Sequence, residues 1–346
     1  MNHAYVSHPA VVLAPHRVTT EEIIEDIRSH HPNHEKIKSI PRHLITSRVA
    51  TRYFSNPLPY VAGASNIGDR TARAYADALA MAEAAAQKAL AEHHVDPAAV
   101  DVLITSNSVS GGIIPGIDIP LASNLGLRPD VRRIPLNTVA CTGGALALAR
   151  AKDMLAAWPD ATVLVVISEP LSTTYNHRDT EVATMIFKGL FGDAAAAAVV
   201  TSKPLGAGLR IDSTLEYRLP DSAQAYFTRP DETGVHFEST KISLTAVKRT
   251  VPRLGEWMRG WQADVPVIHT GSPDIIRTVN SCLGLDEKAS RHAYASLEEC
   301  GNLGGVSIFD VLSRTHSEPP SDGDKTVIVA FGPGFTMTAC RGIWQA

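Results

Sequence analysis

A single cysteine separates an apolar run from an alanine-rich segment in the stretch IPLNTVACTGGALALARAKDML, residues 134–155. The first part predicts an extended approach and the second is rich in helix formers, so Cys141 lies at or near a helix N-terminus. Unpaired N–H groups and the helix dipole at such a position stabilise a thiolate and lower the pKa of a cysteine. Gly143 and Gly144 would let another backbone or a ligand come close. A nucleophilic thiol is one interpretation; a buried structural cysteine is the commoner one for an isolated residue.

Two other residues could act with this thiol. His269 ends the apolar run in VPVIHTGSP, where a strand gives way to a glycine-containing turn, and Asn302 follows 33 residues later in the glycine-rich EECGNLGG. Strand ends carry function in α/β folds, although a lone histidine is usually structural and an asparagine beside glycine is usually a turn residue. Together the three suit thioester chemistry, because a thiolate takes an acyl group while neutral His and Asn donors hold an enolate or oxyanion oxygen. Chance placement is the alternative.

The elements that must position these residues alternate between helices and strands. Two helices are predicted first, a capped amphipathic one at TTEEIIEDIRSHH and a long alanine-rich one at NIGDRTARAYADALAMAEAAAQKALAEHHV. Short apolar or β-rich runs follow at DVLITSNSV, TVLVVISE and AAAAVVTS. This alternation predicts an α/β fold with a buried sheet covered by helices.

The C-terminal part repeats this alternation less regularly. We predict two α/β halves, residues 1–204 with Cys141 and residues 205–346 with His269 and Asn302. The polar stretch 205–238 would join them. No sequence repeat is clear enough to establish a duplication.

Composition excludes several classes of protein. The chain has 346 residues, 44% hydrophobic and 20% charged, with a formal net charge of −4, which argues against a disordered chain and against a nucleic-acid partner. No apolar run approaches the roughly 20 residues needed to cross a bilayer, and the N-terminus lacks a signal-peptide pattern. We therefore expect a cytoplasmic protein with no membrane partner. The four cysteines (141, 282, 300 and 340) contain no CxxC pair, so reduced thiols are expected.

A histidine cluster stands apart from these motifs. The segment SHHPNHEK brings His30, His31 and His34 together, which could suggest a metal. Because no cysteine or carboxylate completes a ligand set in this pattern, the segment is interpreted as a solvated surface, and no metal site is expected.

Several motifs resemble those of one enzyme family. Beyond the cysteine segment, GLFGDAAAAAVV (189–200) is similar to its Leu-Phe-Gly-Asp-Gly-Ala-Ala run, and HTGSP to His-Pro-Gly-Gly-Pro. GNLGG is similar to Gly-Asn-Met-Ser-Ser, and AFGPGF (330–335) to Gly-Phe-Gly-Pro-Gly. The motifs occur in the family's order, from ATRYF near residue 50 to the last strand. The chain thus resembles the thiolase-fold condensing enzymes, and most closely the type III polyketide synthases, the chalcone and stilbene synthase family.

The resemblance implies a homodimer of thiolase-like, five-layered αβαβα subunits whose two halves are similar. Cys141 would hold the starter and the growing chain, while His269 and Asn302 would stabilise the enolate formed when malonyl-CoA loses carbon dioxide. An imidazolium beside the sulfur would help to keep Cys141 ionised. Acyl-CoA and malonyl-CoA would be substrates, entering through a narrow tunnel, and no cofactor is implied. The implied reaction is a decarboxylative Claisen condensation that ends in cyclisation or release of a short polyketide.

Other positions match family residues that contact substrate. Phe191 in LFGDA aligns with a gatekeeper phenylalanine and Phe237 in GVHF with a second, although core packing is the alternative for both. Thr174 matches a cavity-lining threonine. Arg42 falls where the family places a cation for the coenzyme A phosphates, and a plain surface arginine is the alternative.

Three departures from the family pattern bear on the cavity or on the backbone. Gly304 stands where many members have serine, and Ile114 stands where many have a methionine that reaches into the neighbouring subunit's cavity. Ala194 replaces a glycine, which matters only if that backbone has a positive φ.

An alternative within the same fold is a ketoacyl-carrier-protein synthase III-like enzyme, whose extender is bound to an acyl carrier protein. The GPG ending and the HTGSP context argue against it. A catalytically dead scaffold is disfavoured because all three reacting residues are present.

Overall fold

The computed structural model describes residues 3–108 and 114–346 of the chain. The strands in these ranges are β1 (Ala4–Val6), β2 (Ala10–Leu13), β3 (His16–Thr19), β4 (Thr51–Phe54), β5 (Val102–Asn107), β6 (Arg132–Asn137), β7 (Val163–Glu169), β8 (Ala194–Thr201), β9 (Gly208–Arg218), β10 (Tyr226–Asp231), β11 (Gly234–Ser239), β12 (Val265–Ile268), β13 (Lys325–Gly332) and β14 (Thr336–Gln345). The helices are α1 (Thr20–His30), α2 (Ile40–Thr46), α3 (Leu58–Ala62), α4 (Ile67–Glu92), α5 (Asp118–Asn124), α6 (Gly143–Ala157), α7 (Val182–Lys188), α8 (Ser243–Trp257), α9 (Pro273–Leu283), α10 (Arg291–Cys300) and α11 (Ser307–Ser317).

A mixed sheet runs through both halves of the chain. Its described strands follow the order β12-β13-β14-β9-β1-β8-β7-β5-β6, with β2 paired beside β8. The pairs β5–β6, β5–β7 and β12–β13 are parallel, whereas β7–β8 and β13–β14 are antiparallel. The parallel strands bring their carboxyl ends, and the residues that follow them, to one edge in each half.

Strands β5 and β7 are buried on both faces, so their side chains alternate between two helical layers. Val163, Val165 and Ile167 of β7 share a core with α6, whereas Leu164 and Val166 share one with α4. Helix α6 also packs against β13 and β14 of the other half, and α8 and α9 cover β9 and β12 from outside. Across the molecule the layers follow the order helix, sheet, helix, sheet, helix, in which the two sheet layers are the portions of the one sheet that belong to the two halves. This arrangement confirms the predicted α/β class and its layers.

The helix ends follow from their sequence. Thr19 and Glu22 form a reciprocal capping box at the start of α1, and the Asn66 side chain accepts from the Asp69 amide at the start of α4. Alanines on the inner face of α4 let it lie close to β8, which is itself an alanine run. Both helices confirm the sequence prediction. No helix in the described ranges is both long and apolar enough to cross a membrane.

The predicted boundary at 204/205 lies between β8 and β9. Strand β1 pairs with both β8 and β9, so hydrogen-bonded strands adjoin on either side of that boundary. The stretch 205–238, expected to be a polar join, contains β9 and most of the β10–β11 hairpin. Its polar residues fit this arrangement because β10 is largely exposed along its length.

The LFGDA motif forms a structural anchor at the start of β8. The carboxylate of Asp193 is fully buried and accepts hydrogen bonds from the amide of Ser55 at 2.8 Å and from the amide and hydroxyl of Ser172, both at 2.6 Å. These bonds tie the end of β4 to the turn after β7. Ala194 lies in β8 and is not among the described residues with positive φ, so alanine causes no backbone strain there.

We predict that Asp193→Ala will lower the free energy of unfolding by about 2–4 kcal/mol, because it leaves three buried donors without an acceptor. Urea denaturation of the purified protein measures this. Asp160→Ala, on an exposed turn, is the control and should change stability by less than about 0.5 kcal/mol. Equal stability of the two variants would contradict the anchor.

Candidate active site

Cys141 lies at a strained elbow between β6 and α6. The chain turns through Thr138 and Ala140, whose φ angles of 65° and 47° are in the left-handed region, and a 3₁₀ turn at Ala140–Thr142 leads into the helix. Non-glycine residues in this region cost of order 1–3 kcal/mol each and persist only where the surroundings hold them. The predicted position of Cys141 at a helix start is confirmed.

The two glycines after the cysteine serve close packing of the backbone. A Cβ on Gly143 would come within 2.2 Å of the Ser106 hydroxyl, and one on Gly144 within 2.2 Å of the carbonyl oxygen of Gly305. The second approach joins the start of α6 to the turn that carries Asn302. Glycine here lets another backbone come close, as the sequence indicated.

The three residues singled out for thioester chemistry share one cavity. Cys141, His269 and Asn302 line a space of about 450 Å³ together with Phe191 and other aromatic side chains. The structure therefore brings together residues from three distant parts of the chain.

A second cavity, of about 680 Å³, lies beside the first. Cys141, Phe191 and Phe237 line both. The two phenylalanine rings meet edge to face, with centroids 5.2 Å apart. Thr174 and Gly304 line the second cavity, which we call the inner cavity.

A third cavity, of about 1190 Å³, shares Phe187, Leu190 and Tyr226 with the first and includes the cationic residues Lys248 and Arg277. We call it the outer cavity. Arg42 is exposed on α2 and is not among the residues lining these three cavities. Ile114 is 90% exposed, so it does not enter the cavity of its own subunit. The neighbouring residues 109–113 lie outside the described ranges.

Backbone bonds hold the two donor residues in place. His269 directly follows β12, and its amide donates to the carbonyl of Val329 at 2.9 Å. The Asn302 amide donates to the carbonyl of Leu190 at 2.8 Å, which fastens its turn to the Phe191 segment. The side-chain oxygen of Asn302 accepts from the Gly304 amide at 2.9 Å, so its NH₂ group is left to face the sulfur of Cys141.

Burial controls the ionisation of the site. It raises the pKa of the Cys141 thiol to about 12, with a further contribution from the charge of Glu169, while the hydrogen bond from Asn302 acts in the opposite direction. Burial also lowers the pKa of His269 to about 4. The expected low thiol pKa is therefore wrong for this state, because loss of solvation outweighs the helix-end effect. Both shifts favour the uncharged forms of the thiol and the imidazole.

Glu169 is a further residue of this site, and it was not predicted from the sequence. This carboxylate ends β7, is fully buried, and accepts hydrogen bonds from the hydroxyl and amide of Ser108, which also lines the inner cavity. Burial raises the pKa of Glu169 to about 7. A signal was present, because an acidic residue closes the otherwise apolar run TVLVVISE at a strand end.

Comparison with known proteins places this site in a family. The model of the chalcone and stilbene synthase N-terminal domain matches residues 16–204. The chain belongs to the chalcone and stilbene synthase family. It is an acyltransferase of the type III polyketide synthase class, and the carrier-protein-dependent alternative is not favoured.

Several bacterial enzymes resemble this chain along nearly its whole length. A 1,3,6,8-tetrahydroxynaphthalene synthase of Streptomyces coelicolor is 30% identical over 99% of this chain and 92% of its own length. A phloroglucinol synthase of Pseudomonas fluorescens is 27% identical over 98% of both. The structure of germicidin synthase from Streptomyces coelicolor, a type III polyketide synthase, superposes with a TM-score of 0.95 at 32% identity, covering 99% of this chain and 100% of that one. The thiolase-like fold class is thereby confirmed.

We predict that Glu169→Gln will lower the pKa of Cys141. Above pH 7 Glu169 carries a negative charge that opposes a second one on the sulfur, and a neutral amide removes that repulsion. The rate of alkylation of Cys141 by iodoacetamide above pH 7 should rise by up to about tenfold, the factor that one pKa unit represents. Peptide mass mapping over a pH series measures it.

Two internal comparisons sharpen this test. Asn302→Ala removes a hydrogen bond that favours the thiolate, so it should slow alkylation of Cys141. Cys282 lies outside the cavity and should react at the same rate in all variants. An unchanged rate at Cys141 in Glu169→Gln would show that the carboxylate does not act on the sulfur.

Proposed function

We propose that the chain catalyses decarboxylative Claisen condensation of malonyl-CoA extenders onto an acyl starter held on Cys141. The supporting observation is the common cavity of Cys141, His269 and Asn302, which shares lining residues with the inner cavity and with the outer one. Coenzyme A thioesters are proposed as the only substrates, with no cofactor.

The outer cavity is proposed as the entrance for the coenzyme A thioester. Lys248, Arg277 and Asp274 lie in its lining; because Asp274 pairs with Arg277, Lys248 supplies the net positive charge that suits the phosphates of coenzyme A. Phe187 and Leu190 line both this cavity and the first cavity, which contains Cys141. An apolar passage between them suits the acyl end of the pantetheine arm. Arg42 does not line the outer cavity, so a contact between Arg42 and the phosphates would have to lie outside it.

In the loading step the sulfur of Cys141 attacks the starter carbonyl, a C–S bond forms, and the coenzyme A thiolate leaves. Because the thiol is uncharged beforehand, its proton passes to His269 as the sulfur attacks, and then to the departing coenzyme A sulfur. Neutral His269 is able to accept that proton.

In the extension step malonyl-CoA loses carbon dioxide, and the electrons of the broken C–C bond form an enolate. The NH₂ group of Asn302 and an N–H of His269 donate to the enolate oxygen. The enolate carbon attacks the acyl carbonyl on Cys141, a C–C bond forms and the C–S bond breaks, leaving the lengthened chain on coenzyme A. No strong base is required, because decarboxylation itself supplies the carbanion.

The inner cavity is proposed to hold the growing chain and to limit its length. Phe191 and Phe237 line both the inner cavity and the cavity of Cys141, a position that suits gatekeeper residues, and Thr174 and Gly304 form part of the inner wall. Relatives named for tetrahydroxynaphthalene and phloroglucinol support a short polyketide product.

We also propose a homodimer. Ile114 is exposed, and in such a dimer its side chain would be free to enter a neighbouring subunit's cavity. A cytoplasmic location stays a prediction.

We expect Cys141→Ala to abolish acyl-enzyme formation and Asn302→Ala to reduce release of carbon dioxide from malonyl-CoA by about 10²-fold or more, the usual effect of losing an oxyanion donor. Intact-protein mass spectrometry detects the adduct, and labelled carbon dioxide measures the second step. Cys282→Ala is the control. Acylation of Cys141→Ala at the native rate, or normal decarboxylation by Asn302→Ala, would refute the corresponding role.

Filling the inner cavity should shorten the product. Gly304 is a poor test position, because its φ of 59° and the Glu169 Cγ only 3.1 Å from an added Cβ would mix backbone strain with lost volume. In Thr174→Leu we expect fewer malonyl units per product, as read by mass spectrometry with each accepted starter. Thr46→Leu, on the exposed face of α2, is the matched control. An unchanged product series at an unchanged rate would show that Thr174 does not line the cavity that holds the growing chain.

A further inference from the structure

A buried histidine lies next to one of the two phenylalanines that the first and inner cavities share. His236 precedes Phe237 in β11, and successive side chains of a strand point to opposite faces. The Phe237 ring meets those of Phe187 and Phe191 edge to face, with centroids 4.9 and 5.2 Å away. His236 points to the other face, where it is buried. A shift of His236 would therefore move Phe237 relative to both rings.

Two carboxylates hold the ring of His236. Its Nδ1 lies 2.7 Å from Oδ1 of Asp179, and its Nε2 lies 2.9 Å from Oδ1 of Asp231. Asp231 belongs to β10, so its contact stays within the hairpin and orients the ring. Asp179 lies between Thr174 and α7, so its hydrogen bond joins the hairpin to another part of the chain. The charge of the carboxylate strengthens this bond.

Asp179 also holds the segment of a second ring of this aromatic cluster. Lys188 directly follows Phe187 at the end of α7 and is buried. Its Nζ donates to the backbone carbonyl of Asp179 at 3.1 Å. The residues adjacent to Phe187 and Phe237 are therefore both bonded to Asp179, which fixes the two rings relative to each other.

Two other links between the same segments lie farther from Phe237. The Nδ2 of Asn176 donates to the hydroxyl of Thr233 at 3.0 Å, and the exposed side chains of Arg178 and Glu232 pair at 3.1 Å. Glu232 and Thr233 form the turn of the hairpin, between β10 and β11. These links keep the hairpin attached when the His236 bond is lost, but they leave Phe237 less restrained.

We propose that the bond between His236 and Asp179, here called the brace, positions Phe237 and so selects compact starter acyl groups over bulky ones. The inference rests on the proposed function, in which the acyl group is held on Cys141. Phe237 lines both cavities that contain this cysteine, so a displaced ring widens the space beside the sulfur. His236 and Asp179 line neither cavity, and they act on the acyl group only through Phe237.

The test compares alkylation of Cys141 by a small reagent, iodoacetamide, and by a bulky one, N-benzyl iodoacetamide. The ratio of the two rate constants reports the room beside the sulfur, because a change in thiol pKa affects both reagents alike. In His236→Leu we expect the ratio of bulky to small to rise at least about fivefold, since the lost bond no longer favours the native ring position. Asp179→Ala removes the acceptor of the same bond and should act in the same way. Peptide mass mapping measures both rates.

Four comparisons separate positioning from a general loss of structure. His236→Asn keeps a donor close to the place of Nδ1 and should restore the native ratio. Arg178→Ala breaks the exposed pair between the same two segments and should also keep the native ratio. Adding Phe237→Ala to His236→Leu should give the ratio of Phe237→Ala alone, because His236 acts through that ring. The ratio at Cys282, outside the cavity, should be the same in every variant.

Circular dichroism checks the fold, and whichever of His236→Leu and Asp179→Ala is folded decides the result. A rise of less than about fivefold, an equal rise in Arg178→Ala, or effects of His236→Leu and Phe237→Ala that add, would overturn the proposal.

The proposed function is tested separately, by release of labelled carbon dioxide from malonyl-CoA by the native protein. A protein that releases none but shows the expected alkylation ratios would refute that function and keep the brace. In an active protein, kcat/KM for octanoyl-CoA relative to acetyl-CoA should rise in the same variants, and an unchanged value would show that the brace does not select the starter.

Discussion

The contact between the start of α6 and the turn after Asn302 is the constraint on which the active site depends. Gly144 and Gly305 approach so closely that a Cβ on Gly144 would lie 2.2 Å from the Gly305 carbonyl oxygen. Each glycine belongs to a different half of the chain. Their contact is what lets Cys141, carried by one half, share a cavity with His269 and Asn302, carried by the other. A larger residue at either position would separate the nucleophile from the donors.

The same close packing determines the electrostatics of the site. Loss of solvation disfavours every charge placed at this junction, which raises the pKa of Cys141 and Glu169 and lowers that of His269, although the Cys141 side chain keeps some exposure. In the proposed reaction an uncharged resting site is not an obstacle, because the N–H donors of Asn302 would act on an enolate oxygen where little solvent competes with them. The reactive charge would then form only when substrate is present.

The walls of the cavities come from segments that are held by polar contacts as well as by packing. The β10–β11 hairpin contributes Tyr226 and Phe237, and it is tied down by His236, whose ring nitrogens lie 2.7 Å from Asp179 and 2.9 Å from Asp231. Asp179 belongs to the same segment as His177. This segment therefore connects the hairpin, α1 and the Thr174 wall.

Local features were readable from the sequence because each depends on neighbouring residues. The caps of α1 and α4, the strand-to-helix position of Cys141, and the motifs that identify the family all lie within short segments, and all were predicted. The ionisation of Cys141 was not, because burial depends on every segment packed around it. Glu169 and the partnership of Asp26 with His177, 151 residues away, depend equally on tertiary contact. Residue types and their local spacing thus determined the chemistry available to this protein, whereas long-range packing decided which groups meet, how dry they are, and which of them carry charge.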